Sequence, residues 1–439
     1  MTGSAATKPA GRLTQAQVDQ VLKRHSMFRN ARVGGARAVF ANHDLSGLNF
    51  EDRDLAHADL TFSNLAGANF IRADMDCAVL FAADLRRANL LEASLVKADL
   101  RGACLRGANL SGANLFDADL RDGLMAERDV KGGLVFNQAS LQPSDVEGAN
   151  FSGANLSGAQ MGGAIAMKTD FSQAVMRGVR LVRANLRGAN FAGANLEGAD
   201  LSQADLRGAD LRGAVLTDVT LTLAELAGAD MTGCLTDEPM GRPFADLGPD
   251  FEALLVLHRT FVDKAGREGA PLDLSGVDLR NAPGLPRAML TAVRATGAVF
   301  YGQDLSGIQL QAANLEGADL RTCNLRGADL RGANLRDAKL DNADLTEALL
   351  EPLELAPNRF KATSLDGASL RYAVLARAKL RRAVLTTADL TQCDLEGAVL
   401  KEADLTGAKL GGIKASVKDL LTAVIDPVLA ERLQGKATN

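Results

Sequence analysis

A leucine, phenylalanine or methionine recurs at every fifth position through most of the chain, with alanine two residues before it and polar residues around it. Ala88-Asn89-Leu90, Ala98-Asp99-Leu100 and Ala189-Asn190-Phe191 are typical. A period of five fits neither the helix nor the strand, so each pentad must end in a bend that turns the next apolar residue inward again. With the apolar residue at position i, the alanine at i−2 is small enough to share the interior. Glycine at i+2, as at Gly107, suits a turn with positive φ. Bulky residues recur at twenty: Phe50 and Phe70, then Phe151, Phe171 and Phe191, with Phe300 and Phe360 sixty apart. Four pentads per circuit follow. Asn49, Asn69, Asn89 and Asn109 all take i−1 on the Phe50 face, whereas i−1 on the Phe40 face reads Val39, Asp59, Val79, Asp99, Asp119. Asparagine used only for turns would scatter over all faces, so a ladder of stacked amides is predicted.

The period breaks in three places. The first run spans about Phe40 to Leu120 and weakens through Met125, Val130 and Val135; the second, Phe151 to Met231, is shifted by one residue. Leu110 and Phe151 are 41 residues apart, two circuits plus one, which predicts a continuing circuit with a bulge near Gln142-Pro143-Ser144-Asp145. The alternative is that part of 122–150 leaves the stack as an external loop. Between 236 and 299 the repeat lapses, and Asp250 to Lys264 shows helical spacing, with Phe251, Leu254, Leu255, Leu257, His258 and Phe261 expected on one broad face. Near the N-terminus, Thr14 and Gln17 form a capping-box pattern ahead of Val18, Val21, Leu22, His25 and Phe28. Both segments carry His-x-x-Phe, then a glycine turn, then Asp-Leu-Ser-Gly, at Asp44 to Gly47 and Asp273 to Gly276. This reads as an internal duplication in which a helix covers the first coil's open edge. The two histidines are expected to be packed and hydrogen-bonded rather than functional. A third run, about Phe300 to Leu410, passes through Pro352 and Pro357, which a bulged corner would accommodate, and helical spacing returns from Ser416 to Leu433.

The expected organisation is a disordered lead at 1–13, then a helix cap plus repeat module at 14–235 with the irregular stretch 122–150. A linker, second capping helix (about 250–264) and irregular opening coil at 236–299 follow, then a second repeat module at 300–410 and a C-terminal helix and tail at 411–439.

Composition changes this picture little. The net charge of −5 is shared out thinly, at −4 over 36–135, −1 over 151–235 and −2 over 300–410. Five cysteines without paired spacing argue against a disulfide framework or zinc site and for a reducing, cytoplasmic setting. No apolar run is long enough to span a bilayer, so no transmembrane segment is expected, and Met1 to Gly11 lacks the apolar core of a signal peptide. An interior filled with aliphatic side chains leaves no pocket for catalysis. His25, His43, His57 and His258 have no metal-ligand spacing, and His57 beside Asp59 reads as a solvated pair. No enzyme activity, cofactor or metal is therefore expected.

These A(D/N)LXX pentads resemble the pentapeptide-repeat family over about three quarters of the chain. The resemblance implies a mainly β fold, a right-handed quadrilateral β-helix with four pentads per coil, here in two modules with short capping α-helices. It also implies a non-enzymatic scaffold that binds a protein partner, of unknown identity, through the faces of a rigid rod. The other role known in the family is DNA mimicry, in which a member occupies the DNA-binding saddle of gyrase and gives fluoroquinolone protection. A duplex carries one phosphate charge per roughly 1.7 Å, far more than the net charges above, so whole-length mimicry is disfavoured. A one-sided acidic column at Asp59, Asp99 and Asp119, with Asp44 and Asp84 on the next face, is the remaining candidate. On the basic side, Arg321, Arg326, Arg331 and Arg336 take i+1 on four successive faces, and Arg371, Arg377, Lys379, Arg381 and Arg382 cluster beyond them. Solvated corners are the plainer use of such residues, and direct nucleic-acid binding is not expected. Residues 1–35 hold six basic residues against one acidic, which alone supports membrane-surface attachment. The C-terminal helix is expected to cap the module, with homodimerisation as its competing use, as in the family members that protect gyrase.

Overall fold

The computed structural model describes residues 11–123, 126–128, 134–136, 143–248, 250–428 and 430–431. The chain divides into two compact units, Met1–Glu238 and Pro239–Asn439.

In both units the inward residues are buried as the period requires. Phe50, Phe70, Phe151, Phe171, Phe191 and Phe300 are fully buried, as are most repeat leucines, and the i−2 alanines lie beside them. Each buried leucine or phenylalanine contributes about 1.5–3 kcal/mol, enough to offset the ordering of the turns because successive coils cover one another. Phe151, Phe171 and Phe191 stack at centroid distances of 5.3 and 5.0 Å, and Phe50 and Phe70 at 4.8 Å.

The backbone corrects the fold class. The expected right-handed quadrilateral β-helix, with its continuous β faces, is not what the described residues form. Three two-stranded sheets are present, none closed or curled, and most residues lie in turns or unassigned backbone. Successive coils meet instead through isolated parallel bridges of one residue each, as Asn49 to Asn69 and Asn69 to Asn89. The reason is local. Of five residues, two make the turn, and i+2 is left-handed even where it is not glycine, as at Arg72 (φ 55°) and Gln173 (φ 61°). Too little extended backbone remains for a ladder. The bonds across each bridge are regular nonetheless: Phe50 N–H donates to Asn69 O at 2.6 Å and Asn69 N–H to Leu48 O at 2.9 Å.

In the N-terminal unit, α1 (Gln15–Arg29) begins at the Thr14–Gln17 capping box and buries Val18, Leu22 and His25. The bridges then run at intervals of twenty to Asp99 and Asp119, after which Cys104 bridges Asp145 and Asn109 bridges Asn150. Coils separated by 41 residues are thus direct neighbours, and the expected intervening circuit is absent. Within the interval, β1 (Ala126–Arg128) pairs antiparallel with β2 (Leu134–Phe136). Residues 1–10, 124–125, 129–133, 137–142 and 432–439, which include Met125, Val130, Gln142 of the expected bulge and Leu433 of the expected C-terminal helix, lie outside the described residues.

The C-terminal unit opens with β3 (Arg242–Pro243), a short 3₁₀ turn (Phe244–Leu247) and α2 (Phe251–Asp263), capped by the Asp250 side chain. β3 pairs in parallel with β4 (Val277–Asp278). The expected unbroken register at Pro352 and Pro357 is corrected as well. Asn334 bridges Ser364 and Lys339 bridges Ser369, thirty residues apart, and between them β5 (Leu353–Ala356) and β6 (Arg359–Lys361) form a hairpin outside the stack. Phe360 lies on this hairpin, 57% exposed, not in the phenylalanine column. The C-terminal helix is interrupted: after α3 (Val417–Leu420) the chain pairs with the coil edge, Leu405 N–H donating to Val424 O and Val424 N–H to Ala403 O, and helical backbone resumes at 427–428 and 430–431.

The duplication also holds a correction. The His25 Nδ1 accepts from Ala38 N–H at 3.1 Å and the His258 Nδ1 from Leu272 N–H at 3.0 Å. Arg12 bridges Asp44, while Pro243 bridges Asp278. Both correspondences align Phe40 with Leu274 and Asp44 with Asp278. The two Asp-Leu-Ser-Gly segments therefore differ by one pentad.

Candidate interaction faces

The outward positions i−1, i+1 and i+2 carry what chemistry the chain offers. At i−1, an aspartate or asparagine Oδ1 accepts the N–H two residues on, as Asn69 from Ile71 at 3.2 Å and Asp44 from Ser46 at 3.0 Å, which closes the turn. The expected amide ladder forms as two separate rungs, Asn69 donating to Asn49 at 3.0 Å and Asn109 to Asn89 at 3.1 Å, with no side-chain bond between Asn69 and Asn89 among the described residues.

Where i+1 is arginine after such an aspartate, the guanidinium folds back onto the same carboxylate. Arg86 meets Asp84 at 2.5 Å, Arg207 meets Asp205 at 2.6 Å and Arg212 meets Asp210 at 2.6 Å. Asp-Leu-Arg thus neutralises itself within one pentad. Sequence reasoning counted these charges but missed the pairing, although the two-residue spacing was its signal.

The acidic candidates share a column, with bridges running Asp59, Val79, Asp99, Asp119. They are not an open acidic face. Asp59 pairs with Arg37 at 3.4 Å, Asp99 with Arg101 at 2.7 Å, and Asp119 with Arg121 at 2.7 Å. Burial would raise the Asp119 carboxyl, but hydrogen bonds from Arg121 and the charges of Arg121 and Arg101 outweigh it and hold it below the ordinary range. Beside this column Phe62 and Phe81 meet edge to face at 5.6 Å, and Arg101 lies 5.5 Å over Phe81. Outward aromatics at i+1 and i+2 were not singled out in the sequence.

The arginine ring is likewise not a free basic surface. Arg321 is buried, paired with Asp319 at 2.5 Å and set over Tyr301. Arg326 pairs with Asp344 at 3.0 Å, Arg331 with Asp329 at 2.6 Å and Arg336 with Asp366 at 3.4 Å. Nearby, buried Arg371 meets Asp341 at 3.1 Å, and Ser369 Oγ donates to that carboxylate at 2.5 Å. Burial opposes the Asp341 charge, yet Arg371 and Ser369 keep its carboxyl below the usual range. Nothing in the sequence announces a pair thirty residues apart.

His25 and His258 are buried where the capping helices meet the coils. Burial lowers both below the ordinary imidazole value, and the neutral ring accepts at Nδ1. His258 Nε2–H donates to Thr291 O at 3.1 Å, whereas His25 Nε2 faces the Ala56 backbone without a well-formed hydrogen bond and stands 3.9 Å from Asp54. The five thiols are free; Cys323 and Cys393 are buried, donate to Phe300 O and Leu370 O, and are pushed well above the ordinary thiol range by that burial. Among the described residues no group of three or more His, Cys, Asp or Glu could hold a metal ion, and no helix is long and apolar enough to cross a membrane.

A lattice of self-paired polar residues around a filled apolar interior is a repeat scaffold. The chain matches the family model described as pentapeptide repeats over residues 44–80, 54–90, 83–122, 134–165, 167–203, 199–235, 287–321, 313–351 and 378–414, well over half its length, and belongs to that family. The membership makes it a non-enzymatic scaffold for protein interaction. Among solved structures it is similar to HetL, a pentapeptide repeat protein involved in heterocyst differentiation regulation from Nostoc sp. strain PCC 7120. That match has 32% identity over 46% of this chain and 80% of that one, with a TM-score of 0.31. Rfr23 from Cyanothece 51142 matches at 31% identity over 32% of this chain and 88% of that one, with a TM-score of 0.17. QnrB1, a plasmid-mediated fluoroquinolone resistance protein, matches at 20% identity over 50% of this chain and 91% of that one, with a TM-score of 0.23. No curated protein matches.

Proposed function

We propose that the chain works in the cytoplasm as a scaffold that binds a protein partner through the outer positions of its coils. One observation carries this reading: the inward residues are fully buried, so only i−1, i+1 and i+2 can vary in what they present. The free thiols suit a reducing compartment. Asp59, Asp99 and Asp119 with Phe62 and Phe81 form one candidate face, and Arg326, Arg331 and Arg336 lie on others. Gyrase binding by DNA mimicry is the weaker reading, since Asp59, Asp99 and Asp119 of the column it would use are each matched by an arginine. Quantitative affinity purification of the full-length chain should recover one protein in stoichiometric yield. Gyrase supercoiling, with and without ciprofloxacin, should be unaffected. Reproducible substrate turnover by the purified chain, or gyrase protection, would overturn the proposal.

A further inference from the structure

The basic cluster at 371–382 separates in the fold into spent and unspent charges. Arg371 is buried on Asp341, Arg377 pairs with Glu347 at 2.9 Å and Arg382 with Glu402 at 2.5 Å. Lys379 and Arg381 make no ion pair among the described residues, nor does Lys401, and all three are exposed. The bridges place them together: Leu349 meets Lys379 and Lys379 meets Val399, so Lys379 and Arg381 flank Leu380 on one coil while Val399 and Lys401 flank Leu400 on the next. Val399, beside Lys379 across the bridge and in the same pentad as Lys401, is 45% exposed. Glu402, bonded to Arg382, also feels the charges of Arg381 and Lys401, so one carboxylate is shared among three cations, while the field of Glu351, one coil earlier, falls on Arg331. Two coils earlier on this face Asp329 and Arg331 cancel each other within one pentad.

From this juxtaposition we infer that Lys379, Arg381 and Lys401, with Val399 at the fourth corner, form a docking patch for an acidic segment of a partner protein that carries an aliphatic residue among its carboxylates. The assignment rests on the scaffold reading and names the chemistry of one of its faces. Exposed cations on adjacent coils, roughly 4.8 Å apart, suit carboxylates of an extended chain. The apolar surface of Val399 gains nothing from a phosphate backbone but is covered by a leucine or valine. A patch of three free cations is also small for a nucleic acid, whose binding draws on many phosphate contacts.

The test uses the full-length chain and three fluorescein-labelled probes: a peptide of repeated Glu-Glu-Leu, the same peptide with Gln for Glu, and a single-stranded oligonucleotide of equal charge. Fluorescence anisotropy should show binding of the Glu peptide that weakens with salt, and at least tenfold weaker binding of the Gln peptide. The double variant Lys379→Glu with Lys401→Glu should lose the Glu peptide at least tenfold, while Lys264→Glu with Arg267→Glu, of equal charge change, stays within about twofold of the parent. Circular dichroism and cooperative unfolding like the parent's exclude misfolding as the cause. Equal peptide affinity in parent and double variant would overturn the patch, as would an oligonucleotide bound more tightly than the peptide. Recovery of a protein partner that ignores the double variant would also overturn the patch while leaving the scaffold reading in place.

Discussion

The two capping helices are copies of one device put to different outer surroundings. Aligned on His25 and His258, the inner residues correspond, Val18 with Phe251 and Leu22 with Leu255, and the exposed Phe28 corresponds to the half-buried Phe261. The histidine and phenylalanine rings stack at 6.1 Å in α1 and 6.3 Å in α2. Each histidine takes its N–H from the equivalent residue, Ala38 or Leu272, and thereby fastens helix to first coil. Outward, Lys23 and Arg24 of α1 are replaced by Val256 and Leu257 of α2, which are 62% and 45% exposed. The inner face is what covering a coil requires; the outer one is free to change.

The clamp is the first place to break the comparison. His258→Ala removes a ring bonded at both nitrogens and leaves Leu272 N–H and Thr291 O without it, so a loss of about 2–4 kcal/mol is expected. His25→Ala strands only Ala38 N–H and should cost about 1–2 kcal/mol less. Hydrogen exchange of peptides from α1 and α2 in the full chain separates the two; equal losses would remove the distinction at Nε2.

The pH dependence sharpens the same point. Both rings are kept neutral by burial, with values below the ordinary 6.5. Above pH 6.5 neither folded nor unfolded chain holds the proton. Below it the unfolded chain binds a proton the folded one refuses, so stability falls as pH drops toward the folded value. His258→Gln should flatten that fall in α2 exchange rates between about pH 6.5 and 5. A fall of unchanged slope would assign it to other groups.

Capping gives a smaller effect. Thr14→Ala removes the side-chain half of the capping box, the bond from Gln17 N–H, while its own N–H still donates to Gln17 Oε1; it should cost α1 about 1 kcal/mol, and Asp250→Ala a similar amount in α2, whose cap is one bond from Ala253 N–H. Smallest of all is the outer exchange. Val256→Lys with Leu257→Arg copies α1 onto α2 and should leave stability within about 0.5 kcal/mol. A larger loss would mean that these side chains take part in the fold.

How much of this was legible depends on arithmetic in the chain. Inward residues, the capping box at Thr14 and the amide ladder follow from spacings of five, three and twenty that one sequence displays. The hairpin at β5 and β6 was hidden, because ten extra residues preserve a count of five and kept Phe360 in apparent register. The interval of 41 misled similarly: it equals two circuits plus one, yet it is one circuit plus a 21-residue excursion, since Asn109 bridges Asn150. The family's continuous β faces were expected by resemblance, and the two turn residues in every pentad reduce them to single bridges. At the candidate faces, sequence supplied the columns but not the pairing. Asp99 and Arg101 stand two residues apart and neutralise each other, whereas Asp341 and Arg371 meet only because an excursion has been removed from between them.

The central claim is that coils meet by single bridges and that whole excursions are expelled from the stack between them. Asn109→Cys with Asn150→Cys, in a chain whose five native cysteines are replaced by alanine or serine, tests it directly. Neighbouring coils, roughly 4.8 Å apart, lie within disulfide reach, and two intervals would put them at about twice that. Mild oxidation followed by mass spectrometry should give a near-quantitative 109–150 cross-link in the monomer. A chain that folds but leaves both thiols free would contradict the account.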